Sequence, residues 1–357
     1  MEKLEQYHQA LANKAFNLKF SQGRSGVNCS KNYFWDDDHF FLKITDPFTV
    51  DAVKILNSKA FRRLATKTQV FPTPNNPHIR TRQEHVLEVW ALALPIAKFL
   101  GLNVSLCQAI ALGHDLGHAP FGHFGEEYIT KNSGRLFNHA ANGVVVCQQI
   151  ERKGAGLNLM PETLRGILLH SRTRDKKIAL FESVPEEFNL VMLADKIAYT
   201  FADYNDAKRM SYIKEPNSSN IAAFGAYQRM RISTCAEALI CESAEKGRIS
   251  FDSCTEAKEF KILRNWLYQN VYHKINYSLQ KSYFDRLIDF FQKESFFAGC
   301  DPYLLLSLLT DLEIFHFAAY CNTAQILKLE HFSNFGIMEI VPWIKDKKID
   351  FSQFSLG

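Results

Sequence analysis

Two metal-binding side chains stand next to each other at His114-Asp115, within Ala111-Leu112-Gly113-His114-Asp115-Leu116-Gly117-His118, and that adjacency constrains the backbone around them. Neighbouring residues on a regular helix point about 100° apart, so both can reach one ion only where a helix is ending. Gly113, Gly117 and Pro120 supply that setting. Upstream, His85 follows Arg80-Thr81-Arg82-Gln83-Glu84; downstream, Asp195 lies in Leu193-Ala194-Asp195-Lys196-Ile197-Ala198-Tyr199. His85, His114, Asp115 and Asp195 make two imidazoles and two carboxylates. Such a set suits a divalent ion with open positions for water and a phosphate oxygen better than a closed structural zinc. Each residue alone has an ordinary reading, as a capping pair, a core histidine or a buried carboxylate beside a basic neighbour. The combination argues for a metal, because His118, His123 and His139 follow within 25 positions in a chain with only 12 histidines. Glycines at 113, 117, 122 and 125 punctuate the same segment, as close backbone approach to a ligand requires.

Helical periodicity dominates elsewhere. Over 84–100 apolar residues recur at three- and four-residue steps (Val86, Val89, Trp90, Ala93, Leu94, Ala97), and 106–112, 164–169 and 188–207 behave alike. The expected fold is all-α, and any strands would be short hairpins in 20–48 or 340–352. Residues 1–50 read as an arm packed on the body or on another subunit. The core spans 51–215, and Pro216 with paired serines marks a boundary at 215–220. The region 216–357 then carries amphipathic helices over 260–297 and 302–328. In the helix bearing Asp195, the residues Tyr199, Asp203 and Asp206 share its face at three- and four-residue intervals. Leu190, Val191, Leu193, Ala194, Ile197 and Ala198 surround Asp195, which reads as a buried helix end lining a cavity rather than a charged solvent face.

The composition, 46% hydrophobic and 22% charged, excludes disorder. A net charge of +4 allows an anionic substrate without requiring nucleic acid, and no basic-aromatic stripe asks for it. The basic residues Arg62, Arg63, Lys67, Arg80 and Arg82 cluster just before the first metal candidate. Eight cysteines lack Cys-x-x-Cys spacing and read as reduced core thiols of a cytoplasmic protein. The longest apolar stretch, 89–102, is interrupted by Pro95 and Lys98 and is too short to span a bilayer. There is no internal repeat and no glycine-rich phosphate loop of the Walker or dinucleotide type.

The motifs taken together are specific. They are Ser58-Lys59-Ala60-Phe61-Arg62-Arg63-Leu64 with Lys67-Thr68-Gln69-Val70, then Arg80 through His85 with Glu88-Val89. His114 through Glu126 follows, then Gly166-Ile167-Leu168-Leu169-His170-Ser171 and Leu193 through Tyr199. Across 51–206 the chain resembles the HD-domain phosphohydrolases, and within them the deoxynucleoside triphosphate triphosphohydrolases (dGTPase-like proteins). The resemblance implies an HD-domain helical core and a metal held by His85, His114, Asp115 and Asp195. It implies Arg82 and Lys196 on the triphosphate tail, with Arg62 also on the substrate side. His118 would contact the phosphates, and His123, oriented by Glu126, would be the acid–base group. Tyr199 and Asp203 would bind the deoxyribose 3′-hydroxyl. His139 would be a further substrate-side histidine, although the segment around 137–142 departs from the family's glutamate-containing version.

The implied reaction is attack of water on the α-phosphorus, releasing a deoxynucleoside and inorganic triphosphate, with dGTP or all four deoxynucleotides as substrates. Manganese or magnesium leads among manganese, magnesium, iron and zinc as the ion. Homo-oligomers and a nucleotide effector at their interfaces also belong to the resemblance, and a membrane does not. Two alternatives share the fold: an HD-domain nucleotidase or phosphodiesterase acting on a nucleoside monophosphate or cyclic nucleotide, and a non-catalytic nucleotide sensor.

Overall fold

A computed structural model describes residues 38–72, 76–171, 180–181, 183–213, 221–323, 328–347 and 349. The principal helices are α1 (Asp38–Ile44), α2 (Pro47–Asn57), α3 (Lys59–Arg63), α4 (Arg82–Leu100), α5 (Val104–Gly113), α6 (His123–Ser133), α7 (His139–Val145), α8 (Pro161–Leu169), α9 (Glu186–Arg209), α10 (Gln228–Lys246), α11 (Thr255–Asn270), α12 (Ser278–Lys293), α13 (Pro302–Leu308), α14 (Asp311–Thr323) and α15 (Gly336–Ile344). Among the described residues there is no strand, only an isolated antiparallel bridge between Thr68 and Thr81. The fold is all-α, as the periodicity indicates. Where the windows left open to short hairpins are described they are helical: α1 and α2 lie across 38–48, and α15 occupies the start of 340–352. Short aromatic and apolar runs fit a strand or a buried helix equally well by pattern alone. Residues 1–37 of the expected arm and the boundary segment 215–220 lie outside the described residues.

The chain divides into two units. The first comprises Met1–Val53, His85–Leu112 and Met160–Lys274. Its long element is α9, 24 residues and about 36 Å in length. Glu186 and Glu187 stand in its first turn and Lys208 and Arg209 in its last, so the charges complement the helix dipole at both ends. Leu190, Val191, Leu193, Ala194, Ile197, Ala198 and Phe201 are fully buried, and the polar groups among them have partners. Glu187 accepts the Asn103 N–H at 2.8 Å, and Glu186 accepts the Ile249 N–H at 3.1 Å. Asp51 caps the start of α8 by accepting the Met160 N–H at 2.9 Å and the Thr163 hydroxyl at 2.6 Å.

The second unit comprises Lys54–Glu84, Gly113–Leu159 and Ile275–Gly357. Its core is aromatic: Phe290 stacks on Phe332 with ring centres 4.6 Å apart, and Phe291, Phe297 and Phe317 close round them. The loop from Gly113 to Gly122 packs against α7 so closely that a Cβ on Gly117 would lie 2.0 Å from the Gly143 nitrogen and 2.2 Å from the His139 carbonyl oxygen. Glycine is demanded there by space. No single helix among the described residues is long and apolar enough to cross a membrane.

Candidate active site

The first unit carries one group of chemistry-bearing side chains on α4 and α9. His85 Nε2 lies 3.0 Å from Asp195 Oδ1, and Lys196 Nζ donates to Asp195 Oδ2 at 2.9 Å. One turn along α9, the Tyr199 hydroxyl accepts from Arg264 Nε at 3.1 Å and Nη2 at 2.8 Å. A further turn on, Asp203 Oδ2 accepts from the Tyr272 hydroxyl at 2.7 Å. The stripe Asp195, Tyr199, Asp203 is therefore continuous and buried apart from the half-buried Tyr199. Its setting differs from expectation in one respect: α9 runs on to Arg209, so Asp195 lies in mid-helix and not at a helix end. Burial pushes the Tyr199 phenol up despite the neighbouring Arg264 cation, and pushes Tyr268 up to about 12. Both stay protonated at neutral pH and can donate.

Sequence reasoning did not single out Arg264 or Tyr272. The signal was present, because Arg264, Tyr268 and Tyr272 recur every fourth residue and so share one side of α11 and the turn that follows. Their partners on α9 are some seventy residues distant in sequence, and the local pattern does not identify them.

The second unit carries its own group around the loop after α5. His114, Asp115 and His118 are buried, with His114 Nε2 3.4 Å and His118 Nε2 3.3 Å from Asp115 Oδ1. Arg82 Nη1 donates to Asp115 Oδ2 at 2.9 Å and Nη2 to the Gln69 carbonyl at 3.0 Å, while its Nε is a buried donor with no partner. That guanidinium lies against Gly122, where a Cβ would come within 2.5 Å of Nη2. Burial raises the Asp115 carboxyl, but His118, His114 and Arg82 outweigh it and hold it well below the usual range. His118 is pushed well down, by burial and then by Arg82 and His139, so it is a neutral imidazole.

Three histidines then gather on one glutamate. His118 stacks on His139 at 3.8 Å between ring centres and 13° between planes. Glu126 accepts the His139 N–H at 3.0 Å and bonds the His139 ring at Nδ1. Its other oxygen is 3.1 Å from His123 Nδ1. The expected pairing of Glu126 with His123 is present, and Glu126 also serves His139, which the sequence left without a glutamate. The His123 side chain is 74% exposed, so its Nε2 edge is open to a ligand. Burial raises the Glu126 carboxyl, and the two histidines bring it well below its ordinary value. The array is therefore an anionic carboxylate orienting two imidazoles, a third imidazole stacked on one of them, and a spare guanidinium donor.

Arg62 is placed elsewhere in this unit. It is exposed, its guanidinium donates to the Asn57 and Ser58 carbonyls at 3.2 and 3.4 Å, and it lines a cavity of about 650 Å³ with Arg63, His316 and Tyr320.

The donor chemistry of each unit fits a divalent ion. Ligands about 2.1 Å from such an ion stand about 3.0–3.4 Å apart at right or tetrahedral angles. The His85–Asp195 pair at 3.0 Å and the His114–Asp115 pair at 3.4 Å have that spacing.

Comparison with known proteins agrees with this reading. The HD domain model matches residues 82–203. A deoxyguanosinetriphosphate triphosphohydrolase-like protein of Caldanaerobacter subterraneus subsp. tengcongensis is 41% identical over 64% of this chain and 66% of its own length. Its namesakes from Clostridium perfringens and Clostridium tetani are 40% and 37% identical over 63% of this chain and 67% and 66% of theirs. The chain thus spans about two thirds of the length of these curated relatives. A solved structure of a hypothetical protein from Aquifex aeolicus overlays at a TM-score of 0.42 with 18% identity, covering 79% of this chain and 70% of that one, too slight a likeness to carry an inference. With an HD match over residues 82–203, and relatives of one name at this identity, the chain belongs to the deoxyguanosinetriphosphate triphosphohydrolase-like family of HD-domain proteins.

Proposed function

We propose that this protein hydrolyses deoxynucleoside triphosphates to a deoxynucleoside and inorganic triphosphate by attack of water at the α-phosphorus. The observation that carries the reading is Glu126 holding Nδ1 of both His123 and His139 while His118 stacks beside them. A histidine fixed by a carboxylate at Nδ1 offers Nε2 for proton transfer to a leaving oxygen. His123 is that group in this reading, because its ring is the one open to solvent, and the expelled 5′-oxygen takes the proton. His118 and His139 receive the α-phosphate in this reading, His118 as a neutral imidazole.

In the same proposal His85, His114, Asp115 and Asp195 hold one divalent ion, manganese or magnesium. When bound, that ion supplies Lewis-acid polarisation of the phosphoryl group and acidifies water. Arg82 offers its spare Nε to the tail, supported by its grip on Asp115 and Gln69. Lys196 adds a second cation, and a triphosphate tail needs both a guanidinium fork and an ammonium. Tyr199 and Asp203 take the sugar, the first held in place by Arg264 and the second by Tyr272. The working form in this reading is a homo-oligomer in the cytoplasm that responds to a nucleotide effector, which light scattering with and without deoxynucleotides tests.

The decisive experiment is anion-exchange analysis after incubation with each deoxynucleoside triphosphate and manganese. Joint appearance of nucleoside and triphosphate, abolished in His114→Ala, is the expected result and ranks the bases. Release of orthophosphate or pyrophosphate instead moves the bond being cut and overturns the mechanism.

A further inference from the structure

Asp311, at the start of α14, is 1% exposed and far in sequence from every motif that the chemistry uses. Its two oxygens divide their work. Oδ2 accepts the N–H of Thr68 at 2.9 Å and the Thr68 hydroxyl, and Oδ1 accepts the N–H of Phe121 at 3.0 Å. Lys67, equally buried, donates from Nζ to the carbonyl oxygens of His118 and Ser307, the latter at 3.2 Å. The segment between them is short and strained. Phe121 has φ +56 and Gly122 also has φ +56, and His123 is the first residue of α6. A bulky residue in that region persists only where its surroundings impose the conformation. Here the surroundings are the Asp311 bond at the Phe121 N–H and the Phe284 and Phe315 rings, 5.7 and 5.5 Å from the Phe121 ring.

We infer that Asp311 and Lys67 form a positioning pair: they fix both ends of the 118–121 segment, and through it the carbonyl side of His118 and the entry of His123 into α6. Neither touches the array of Glu126, His123 and His139, and each acts through the backbone it holds. The C-terminal region thereby supplies a carboxylate that sets the acid–base histidine. The inference rests on the function proposed above for the site.

An apolar residue at 311 would leave buried N–H groups unsatisfied and risk simple misfolding, so the test uses Asp311→Asn. An amide has one accepting oxygen, so either Thr68 or Phe121 then faces an NH2 group. With manganese and a deoxynucleoside triphosphate, kcat falls roughly 10–100-fold, the size of loss that an ångström-scale misplacement causes, while KM stays within about threefold. Asp311→Glu, which keeps both oxygens, recovers part of the loss. Phe332→Leu in the aromatic core of the same unit is the comparison, lowering the melting temperature by a similar amount with kcat unchanged.

Hydrogen exchange read by mass spectrometry supplies the readout that needs no substrate: peptides covering 118–124 exchange faster in Asp311→Asn than in Phe332→Leu. The pair is refuted as a positioning device if Asp311→Asn matches Phe332→Leu in exchange over 118–124, or keeps wild-type kcat while unfolding earlier. Should the wild type yield no nucleoside and triphosphate, the proposed function falls, and the exchange comparison alone decides the pair.

Discussion

Gly117→Ala tests the packing that brings the histidine-aspartate loop against α7. The added Cβ would lie 2.0 Å from the Gly143 nitrogen and 2.2 Å from the His139 carbonyl oxygen, both backbone atoms that no rotamer change can move. The two segments must separate by more than an ångström. Overpacking of this kind costs about 1–3 kcal/mol. The separation also loosens the 2.8 Å bond from Asn142 Nδ2 to the Gly117 carbonyl, worth about 1 kcal/mol. A total of about 2–4 kcal/mol is a substantial share of the 5–15 kcal/mol that typically separates folded from unfolded chains. The natural comparison is Gly134→Ala. Gly134 has φ +73 and nothing within 4 Å of a built Cβ, so alanine there costs only about 1 kcal/mol, in backbone strain. Thermal unfolding followed by circular dichroism should rank Gly117→Ala well below Gly134→Ala, which stays near wild type. Turnover at a temperature where all three are folded should fall in Gly117→Ala alone, because the His118–His139 stack spans the same contact. Equal shifts for the two alanine variants would refute the argument that space, and not conformational freedom, fixes glycine at 117.

Three further outcomes follow from the contacts. Glu126→Gln removes the charge shared by His123 and His139 and replaces one accepting oxygen by a donor, so kcat should fall roughly 100-fold or more, as for a disabled acid–base group, with KM little changed in steady-state kinetics. Tyr272→Phe deletes the hydroxyl that donates to Asp203 at 2.7 Å; KM for a deoxynucleotide should rise roughly 3–10-fold, about the worth of one typical hydrogen bond, and an unchanged KM would remove Asp203 from the sugar site. Glu242 is buried, which raises its carboxyl, but bonds from Lys246 and the Asp252 and Cys254 segment bring it far below the ordinary range. A depressed carboxylate contributes stability above its unfolded value, about 4.3, and that contribution is lost as pH falls towards the folded value. Wild-type melting temperature should therefore drop steeply on acidification below about pH 4.3, and Glu242→Gln should start lower and show a shallower acid limb.

The parts of the molecule that could be read from the sequence are those set by short-range periodicity. The stripe Asp195, Tyr199, Asp203 follows from three- and four-residue spacing and from the apolar residues around it, and α9 bears it out. Whether Asp195 stood at an end or in the middle could not be read from the same pattern, because burial on every side looks alike at both. The cue that α9 continues, Lys208 and Arg209 in its last turn, lies beyond the motif. The windows left open to short hairpins show the complementary limit: a few aromatic residues without a turn signal carry no period long enough to separate strand from helix.

The supporting contacts are harder to read, and they are what give the functional side chains their states. The family resemblance pairs Glu126 with His123, but the bond of Glu126 to His139 depends on how α6 and α7 meet, which Gly117 permits by lacking a side chain. Arg264, Tyr272 and Asp311 come from stretches that read only as amphipathic helix. Arg264 and Asp311 are buried and Tyr272 is half-buried; each faces a motif residue, and burial demands a partner without specifying which. Motifs therefore name the side chains of the proposed site, and the unremarkable helices after 250 hold those side chains in place. Substitutions in that region should therefore alter kcat or KM selectively at Arg264, Tyr272 and Asp311, and act through stability alone at core positions such as Phe332.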